Sequence, residues 1–304
     1  MGYKKPSETT RNYLENALLP NHGKSYTVIS HRDVISNTYS ILQNSGFVIT
    51  KELYRANHEA NIAQGIYHIV PKNPVDPMIR LEDELGMMFA WTNSYDKSTR
   101  FQCAIGGYVM VCHNGMVSGD MMNFRRKHTG SADQDMKNQI SNQVLHAEKY
   151  YRRMIDDKDN LKTVGLTIKE QAELLGRLYC DEEILDVTQV STVKAQMKNP
   201  SYDYQCDMDN AWAFYNHVTH ALKTSHPKTW LSDTQKFHEF MVANLLSTIS
   251  NNAMDNVPED PIVPTTLTGS IPEDFKIDIE VPKELRVDVE EVIDFDNPTT
   301  FELE

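Results

Sequence analysis

The order of strand-like and helix-like segments along the chain most constrains its fold. Between Tyr26 and Cys112, short runs rich in β-branched and apolar residues recur, separated by turn-forming residues, a pattern that predicts β-strands. One amphipathic helix interrupts them, beginning after Ser30 and ending before Gly46. This order predicts an α+β fold, in which an antiparallel sheet with an early packed helix precedes a mainly helical half.

The predicted helices and strands follow from the spacing of apolar residues and from the residues that break regular structure. β-Branched or alternating runs predict strands at residues 26–30, 47–54, 65–70, 85–92, 99–104 and 108–112. Gly106 and Gly107 predict a turn or bulge between the last two strands. Apolar residues at helical spacing predict further helices at residues 131–157, 167–180, 181–197, 209–222 and 232–249.

Composition divides the chain into four parts. We predict an N-terminal arm at residues 1–24, a strand-rich core at 25–130, a helical part of the same globular body at 131–250, and a flexible acidic tail at 251–304. The formal net charge of the whole chain is -13, but residues 255–304 hold 15 acidic and 3 basic residues. The remaining 28 acidic and 27 basic residues nearly balance, so the body can carry a basic patch.

Several classes of function are disfavoured by what the sequence lacks. No run approaches the roughly 18 apolar residues of a membrane span, and the N-terminus lacks the apolar core of a signal peptide, so we expect a protein of the host cytoplasm that does not contact membranes. Four cysteines without CxxC spacing indicate neither disulfides nor a metal site. No nucleotide-binding or hydrolase motif is present, so we expect no enzyme activity, no catalytic residues and no cofactor.

The segment between Lys97 and Gly130 is the candidate functional segment. It contains five lysine and arginine residues and one acidic residue. Such a cluster suits phosphate oxygens, while neutral side chains position the loop or add hydrogen bonds. The predicted nucleic-acid-binding residues are Lys97, Arg100, Arg125, Arg126, Lys127 and His128. The predicted positioning residues are Asn93, Ser94, Ser98 and Asn114.

Aromatic residues are interleaved with these cations, as a surface that stacks single-stranded bases requires. They are Trp91, Tyr95, Phe101 and Phe124. A solvated basic loop at the edge of a sheet would give the same pattern without function. The acidic tail suggests a segment that competes with nucleic acid for a basic groove or docks on a protein partner, and a solubilising tail is the simpler alternative.

The same segment resembles a phage and plasmid-like protein family, the domain of unknown function 932 group. The resemblance rests on TNSYDKS, on VCHNG and on the later HT pair, and it extends from Tyr26 to Leu246. Tyr95 stands where many relatives have histidine. The resemblance implies a phage or mobile-element setting, and in outline the chain is similar to phage single-strand annealing proteins. The matching positions are Asn93, Ser94, Asp96, Ser98, Cys112, Asn114, Gly115, His128 and Thr129.

We therefore predict an oligomeric protein that binds or anneals single-stranded DNA in replication or recombination, without hydrolysing nucleotides. The first alternative is a module that engages or inhibits a host protein, or an assembly component, through the tail and the aromatic helix around Trp212, Phe214 and Tyr215. A further alternative is a hydrolase that uses Asp96 with His113 or His128, because active sites assemble in space rather than in sequence.

Overall fold

A computed structural model of the protein describes residues 7–21, 28–117 and 132–246. The predicted acidic tail and the basic residues Arg125–His128 lie outside these ranges. Within them the chain forms a six-stranded sheet followed by helices. The predicted α+β class with an antiparallel sheet is therefore confirmed.

The sheet is a meander in which every strand pairs with its sequence neighbours, always antiparallel. Short connections join β2 to β3, β4 to β5 and β5 to β6, as an antiparallel meander permits, whereas α1 and α2 lie between β1 and β2. The strands are β1 (Ser7–Thr9), β2 (Phe47–Ala56), β3 (Ile62–Pro71), β4 (Leu85–Ser94), β5 (Gln102–Val109) and β6 (Gly115–Val117).

Two predictions about the sheet are wrong. Gly106 and Gly107 do not form a turn but lie inside β5, opposite Met88 and Met87 of β4. A Cβ atom on Gly106 would lie 2.6 Å from the backbone oxygen of Met116, so glycine here permits close strand packing. The predicted strand at 26–30 is also wrong for its described residues, because residues 28–30 are not extended into the sheet.

The helices occupy both the start and the second half of the chain. Ser30 caps α2 by accepting a hydrogen bond from the backbone N–H of Asp33, and Thr167 with Glu170 forms the predicted capping box of α6. The predicted helix at 131–157 is two helices that meet at His146. The helices are α1 (Arg11–Glu15), α2 (His31–Asn44), α3 (Pro77–Leu81), α4 (Ala132–Leu145), α5 (Ala147–Thr163), α6 (Ile168–Cys180), α7 (Val187–Lys198), α8 (Ala211–Leu222) and α9 (Trp230–Met241), with a π-turn at Val242–Leu246.

The first face of the sheet is the face that carries Tyr67, Phe89 and Trp91. These three side chains are fully buried in a core shared with α2, α4, α5 and the later helices. Burial of each large apolar side chain stabilises the fold by roughly 2–3 kcal/mol. At these three residues the face is consequently closed to solvent.

The second face of the sheet carries His68, Met88 and Ala104, and it is covered only in part. Trp230 and Leu231, at the start of α9, pack against Met88, Ala104 and their neighbours in a small separate cluster. Toward β2 and β3 this cover ends, and half-exposed or exposed side chains take its place. The uncovered part of the second face forms a concave surface.

We predict that Gly65→Ala lowers the free energy of unfolding by about 1–3 kcal/mol, because its Cβ atom would lie 2.5 Å from the buried Trp91 ring. Gly176→Ala in α6 is the matched control: its Cβ atom meets no other atom within 4 Å, so the change should stabilise the helix by roughly 0.5–1 kcal/mol. Urea denaturation of both variants measures these values. Equal effects of the two changes would contradict the packing described.

Candidate functional site

The TNSYD segment ends β4 and fastens it to the start of α2. The Asn93 side chain donates hydrogen bonds to the Ile29 carbonyl at 2.9 Å and to Nδ1 of His31 at 3.0 Å. Because Nδ1 accepts, the His31 Nε2–H donates to the Ala60 carbonyl at 2.7 Å. Burial lowers the pKa of His31 to about 4, so the ring is neutral at pH 7 and suits this arrangement.

Tyr95 completes the same buried cluster. Its hydroxyl accepts a hydrogen bond of 2.7 Å from the backbone N–H of His31, and its ring stacks on the His31 ring at a centroid distance of 3.9 Å. Tyr95 therefore serves the fold here, since its ring and its hydroxyl are both occupied within the chain.

The β4–β5 turn, residues 95–101, brings the predicted site residues Lys97 and Arg100 to an exposed tip. Ser94 closes the turn, because its hydroxyl donates to the Thr99 carbonyl at 2.8 Å and accepts from the Thr99 N–H at 3.2 Å. The backbone N–H of Ser98 donates to Asp96 at 2.9 Å, and Lys97 adopts a positive φ of 63°. Ser94 and Asp96 thus shape the turn that presents the two cations.

Asn114 fastens the opposite end of the sheet. Its buried side chain donates to the Asn216 carbonyl at 2.9 Å and to the Asn216 side-chain oxygen at 3.2 Å, so the β5–β6 turn, residues 110–114, is tied to α8. The Lys223 ammonium donates to the Cys112 carbonyl in the same turn. Burial raises the pKa of the Cys112 thiol to about 11, so it is protonated and unreactive at pH 7.

The predicted aromatic stacking surface is wrong for the residues that the structure describes. Trp91, Tyr95 and Phe101 are each at most 5% exposed. The aromatic helix α8 is also part of the core: Trp212 and Phe214 are at most 1% exposed, so it offers no surface to a partner. Phe124 lies outside the described residues.

A cleft of about 440 Å³ opens instead on the uncovered part of the second face. Its floor is formed by side chains of β2 and β3, and one wall is formed by the connection between α8 and α9. The residues that line it are Glu8, Lys51, Leu53, Arg55, Ile66, His113, Gly115, Lys223, Thr224 and Trp230.

Three aromatic rings stack beside this cleft. The Tyr108 ring lies across Gly86, whose Cβ would be 2.3 Å from it, and stacks on His68 at 3.7 Å with an interplanar angle of 19°. The ring of His113 lies 5.8 Å from that of Tyr108 at an angle of 4°. Burial lowers the pKa of His68 to about 4, and burial together with Lys51 and Lys223 lowers that of His113. The stack is therefore uncharged at pH 7.

The cleft is also electropositive. Lys51 is exposed and Lys223 is half-buried, and burial lowers the pKa of Lys223. Arg55 is held by hydrogen bonds to the side chain of Gln64 at 3.2 Å and to the Ser225 carbonyl. Burial lowers the pKa of Arg55 to about 10, which leaves it charged at pH 7. Glu8 is the acidic residue in the lining.

Sequence reasoning missed this cleft because its residues come from β2, from the β5–β6 turn and from the end of α8. A signal for part of it was present in β2, where Lys51, Leu53 and Arg55 alternate with residues of the opposite face. The predicted cations Lys97 and Arg100 lie at the other end of β5 from His113. Arg125, Arg126, Lys127 and His128 lie outside the described residues.

Comparison with known proteins identifies the family. A family model described as a domain of unknown function (DUF932) matches residues 19–241. The chain belongs to this family. The DUF932 match ends at the last residue of α9 and spans β2 to β6 together with α2 to α9. No curated protein and no solved structure matches the chain.

Across residues 7–21, 28–117 and 132–246, no three histidine, cysteine or acidic side chains are grouped as metal ligands would be. None of the helices in those ranges is long and apolar enough to cross a membrane.

Replacing Asn93 tests whether this motif residue fastens the fold. We predict that Asn93→Ala lowers the free energy of unfolding by about 1–3 kcal/mol, because the buried Ile29 carbonyl and His31 ring each lose a donor. Ser98→Ala, at an exposed position of the same motif, should change it by less than about 0.5 kcal/mol. Thermal unfolding of the two variants compares them, and a stable Asn93→Ala variant would refute the structural role.

Proposed function

We propose that this DUF932 protein binds single-stranded nucleic acid on the second face of its sheet, without nucleotide hydrolysis. The observation that carries the proposal is a cleft lined by lysine and arginine side chains and by His113, one of three stacked rings. Stacking rings and fixed cations are the two elements that single-strand binding requires. The sequence resemblance adds a phage or mobile-element setting, in which such binding would serve replication, recombination or strand annealing.

The cations account for affinity. Lys51 is exposed and has its charge at the mouth of the cleft, while Lys223 lies on the opposite wall. Each lysine that neutralises a phosphate releases a condensed counterion, so binding is favoured entropically and weakens as salt rises. Arg125, Arg126, Lys127 and His128 lie outside the described residues, and their phosphate contacts stay a prediction from the sequence.

The ring stack accounts for the preference for single strands. His113 is the exposed ring of the three, and its ring lies nearly parallel to those of the half-buried Tyr108 and the buried His68, at 5.8 Å and 5.5 Å. Bases in a duplex are already stacked on each other, so only an unpaired base can place its face on His113. One such stacking contact contributes about 1–3 kcal/mol and tolerates every base. We therefore expect little sequence preference.

A protein partner is the second candidate. Val48 and Val70 pair across β2 and β3 on the second face, and they are 44% and 50% exposed. Exposed apolar residues on a sheet face also suit contacts with a protein. Failure of any nucleic acid to bind, together with stable association with a host or phage protein, would favour this candidate.

Removal of Lys51 tests the cleft directly. We predict that Lys51→Ala weakens binding of a labelled single strand and lowers the slope of log affinity against log salt by about 0.7, the value for one lost phosphate contact. Lys194→Ala, an exposed lysine on α7, is the matched control and should change neither quantity. Fluorescence anisotropy at several salt concentrations measures both. Wild-type affinity and slope in Lys51→Ala would refute binding in the cleft.

A further inference from the structure

A row of facing residues crosses the second face from the cleft to the β4–β5 turn. Arg55 of β2 faces Gln64 of β3, Gln64 faces Thr92 of β4, and Thr92 faces Gln102 of β5. Three steps between neighbouring strands span about 14 Å. Arg55 lines the cleft, and Gln102 directly follows the turn that carries Arg100. The row therefore leads from the cleft to the edge of the sheet where the β4–β5 turn begins, and its middle residues, Gln64 and Thr92, are buried.

The connection between α8 and α9 is fastened along this row. Its Ser225 carbonyl accepts from Arg55, and its Pro227 carbonyl accepts from the Thr92 hydroxyl at 3.0 Å. The same connection carries Lys228, which is half-exposed. Lys228 therefore puts a cation on the connection that covers the buried middle of the row.

We propose that the cleft and the β4–β5 turn are the two ends of one binding track for a single nucleic-acid strand. This inference rests on the proposed function and adds the path that the strand follows. The cations that follow the path are Lys51, Lys223, Lys228, Lys97 and Arg100.

The dimensions of the track exceed those of the cleft. Along β2, the distance from Lys51 to Arg55 is about 13 Å, and the row of facing residues from β2 to β5 adds about 14 Å. At the stacked spacing of about 3.4 Å per nucleotide, this path accepts about eight nucleotides, and fewer if the strand is extended. A strand of about four nucleotides would occupy the cleft alone, where the ring stack lies.

Three acidic residues of the described chain lie beside the path. They are Glu8 in the cleft, Asp96 in the turn and Asp233 in α9. Asp96 accepts the backbone N–H of Ser98, and burial raises the pKa of Asp233, which favours its neutral form. The cations thus outnumber the carboxylates along the whole path.

Oligonucleotide length separates the two ends of the track. The experiment uses the full chain, oligothymidylates of about 4 and about 16 nucleotides, which bracket the sites of known single-strand-binding folds, and fluorescence anisotropy at several salt concentrations. The turn variant is Lys97→Glu with Arg100→Glu, the cleft variant is Lys51→Glu, and the control is Lys194→Glu. All substituted positions are exposed, and circular dichroism verifies that each variant is folded.

We expect the turn variant to weaken binding of the 16-mer and to lower its salt slope by about 1.4, because two phosphate contacts are lost. The 4-mer should bind the turn variant as it binds the wild type, since it occupies the cleft. The cleft variant should weaken binding of both lengths, and the control neither.

Other results overturn the track in distinguishable ways. If the turn variant binds the 16-mer like wild type while the cleft variant is weakened, the strand stops within the cleft, and the proposed function survives without the track. Equal losses for both lengths in the turn variant would indicate a general charge effect, which also overturns the track. If the wild type binds neither length, the proposed function and the track fail together.

Discussion

The structure depends on the unequal burial of the two faces of one antiparallel sheet. The first face is buried against α2, α4, α5 and the later helices, and its largest side chains, among them Phe89 and Trp91, are inaccessible to solvent. The second face receives the start of α9 near β4, β5 and β6, and the connection between α8 and α9 near Arg55 and Thr92. A sheet buried on one side and partly open on the other has both the stability to hold its shape and a surface left for binding.

Buried asparagines fix the two turns that border this surface. Asn93 ties the end of β4 to the start of α2, and Asn114 ties the β5–β6 turn to α8. Because a buried amide that loses its partners costs free energy, these bonds set where each turn lies. These two motif residues therefore serve mainly to hold the turns in place. The exposed residues that they place are Lys97 and Arg100 at one end of the sheet and His113 at the other.

Local pattern predicted the fold well where one periodicity dominated. Alternation in β2 and the cap at Ser30 each gave an element that the structure contains. The glycine pair in β5 misled the prediction, because these glycines make room for neighbouring strands and side chains instead of turning the chain. The second strand-like run, at 108–112, then contributed only its first two residues to β5, and the short strand β6 that follows carried no signal of its own.

The candidate site was harder to predict because it assembles across distant segments. Trp91 and Phe101 look like stacking residues in sequence, but both side chains are buried in the core. The rings that do stack beside the cleft, His68, Tyr108 and His113, are separated by up to 45 residues and meet only through strand register and the β5–β6 turn. The aromatic helix α8 is apolar on nearly every side, which in a soluble chain indicates a buried helix rather than a partner surface.

The most direct test of the central claim is photo-crosslinking of the wild-type protein to a single strand that contains a photoreactive thymidine analogue, with the crosslinked peptides sequenced by mass spectrometry. The account predicts crosslinks on the second face of the sheet, in peptides that contain His113 or Tyr108 and in the connection that ends at Trp230. Crosslinks confined to α6 and α7, or none under conditions where the strand is bound, would contradict it.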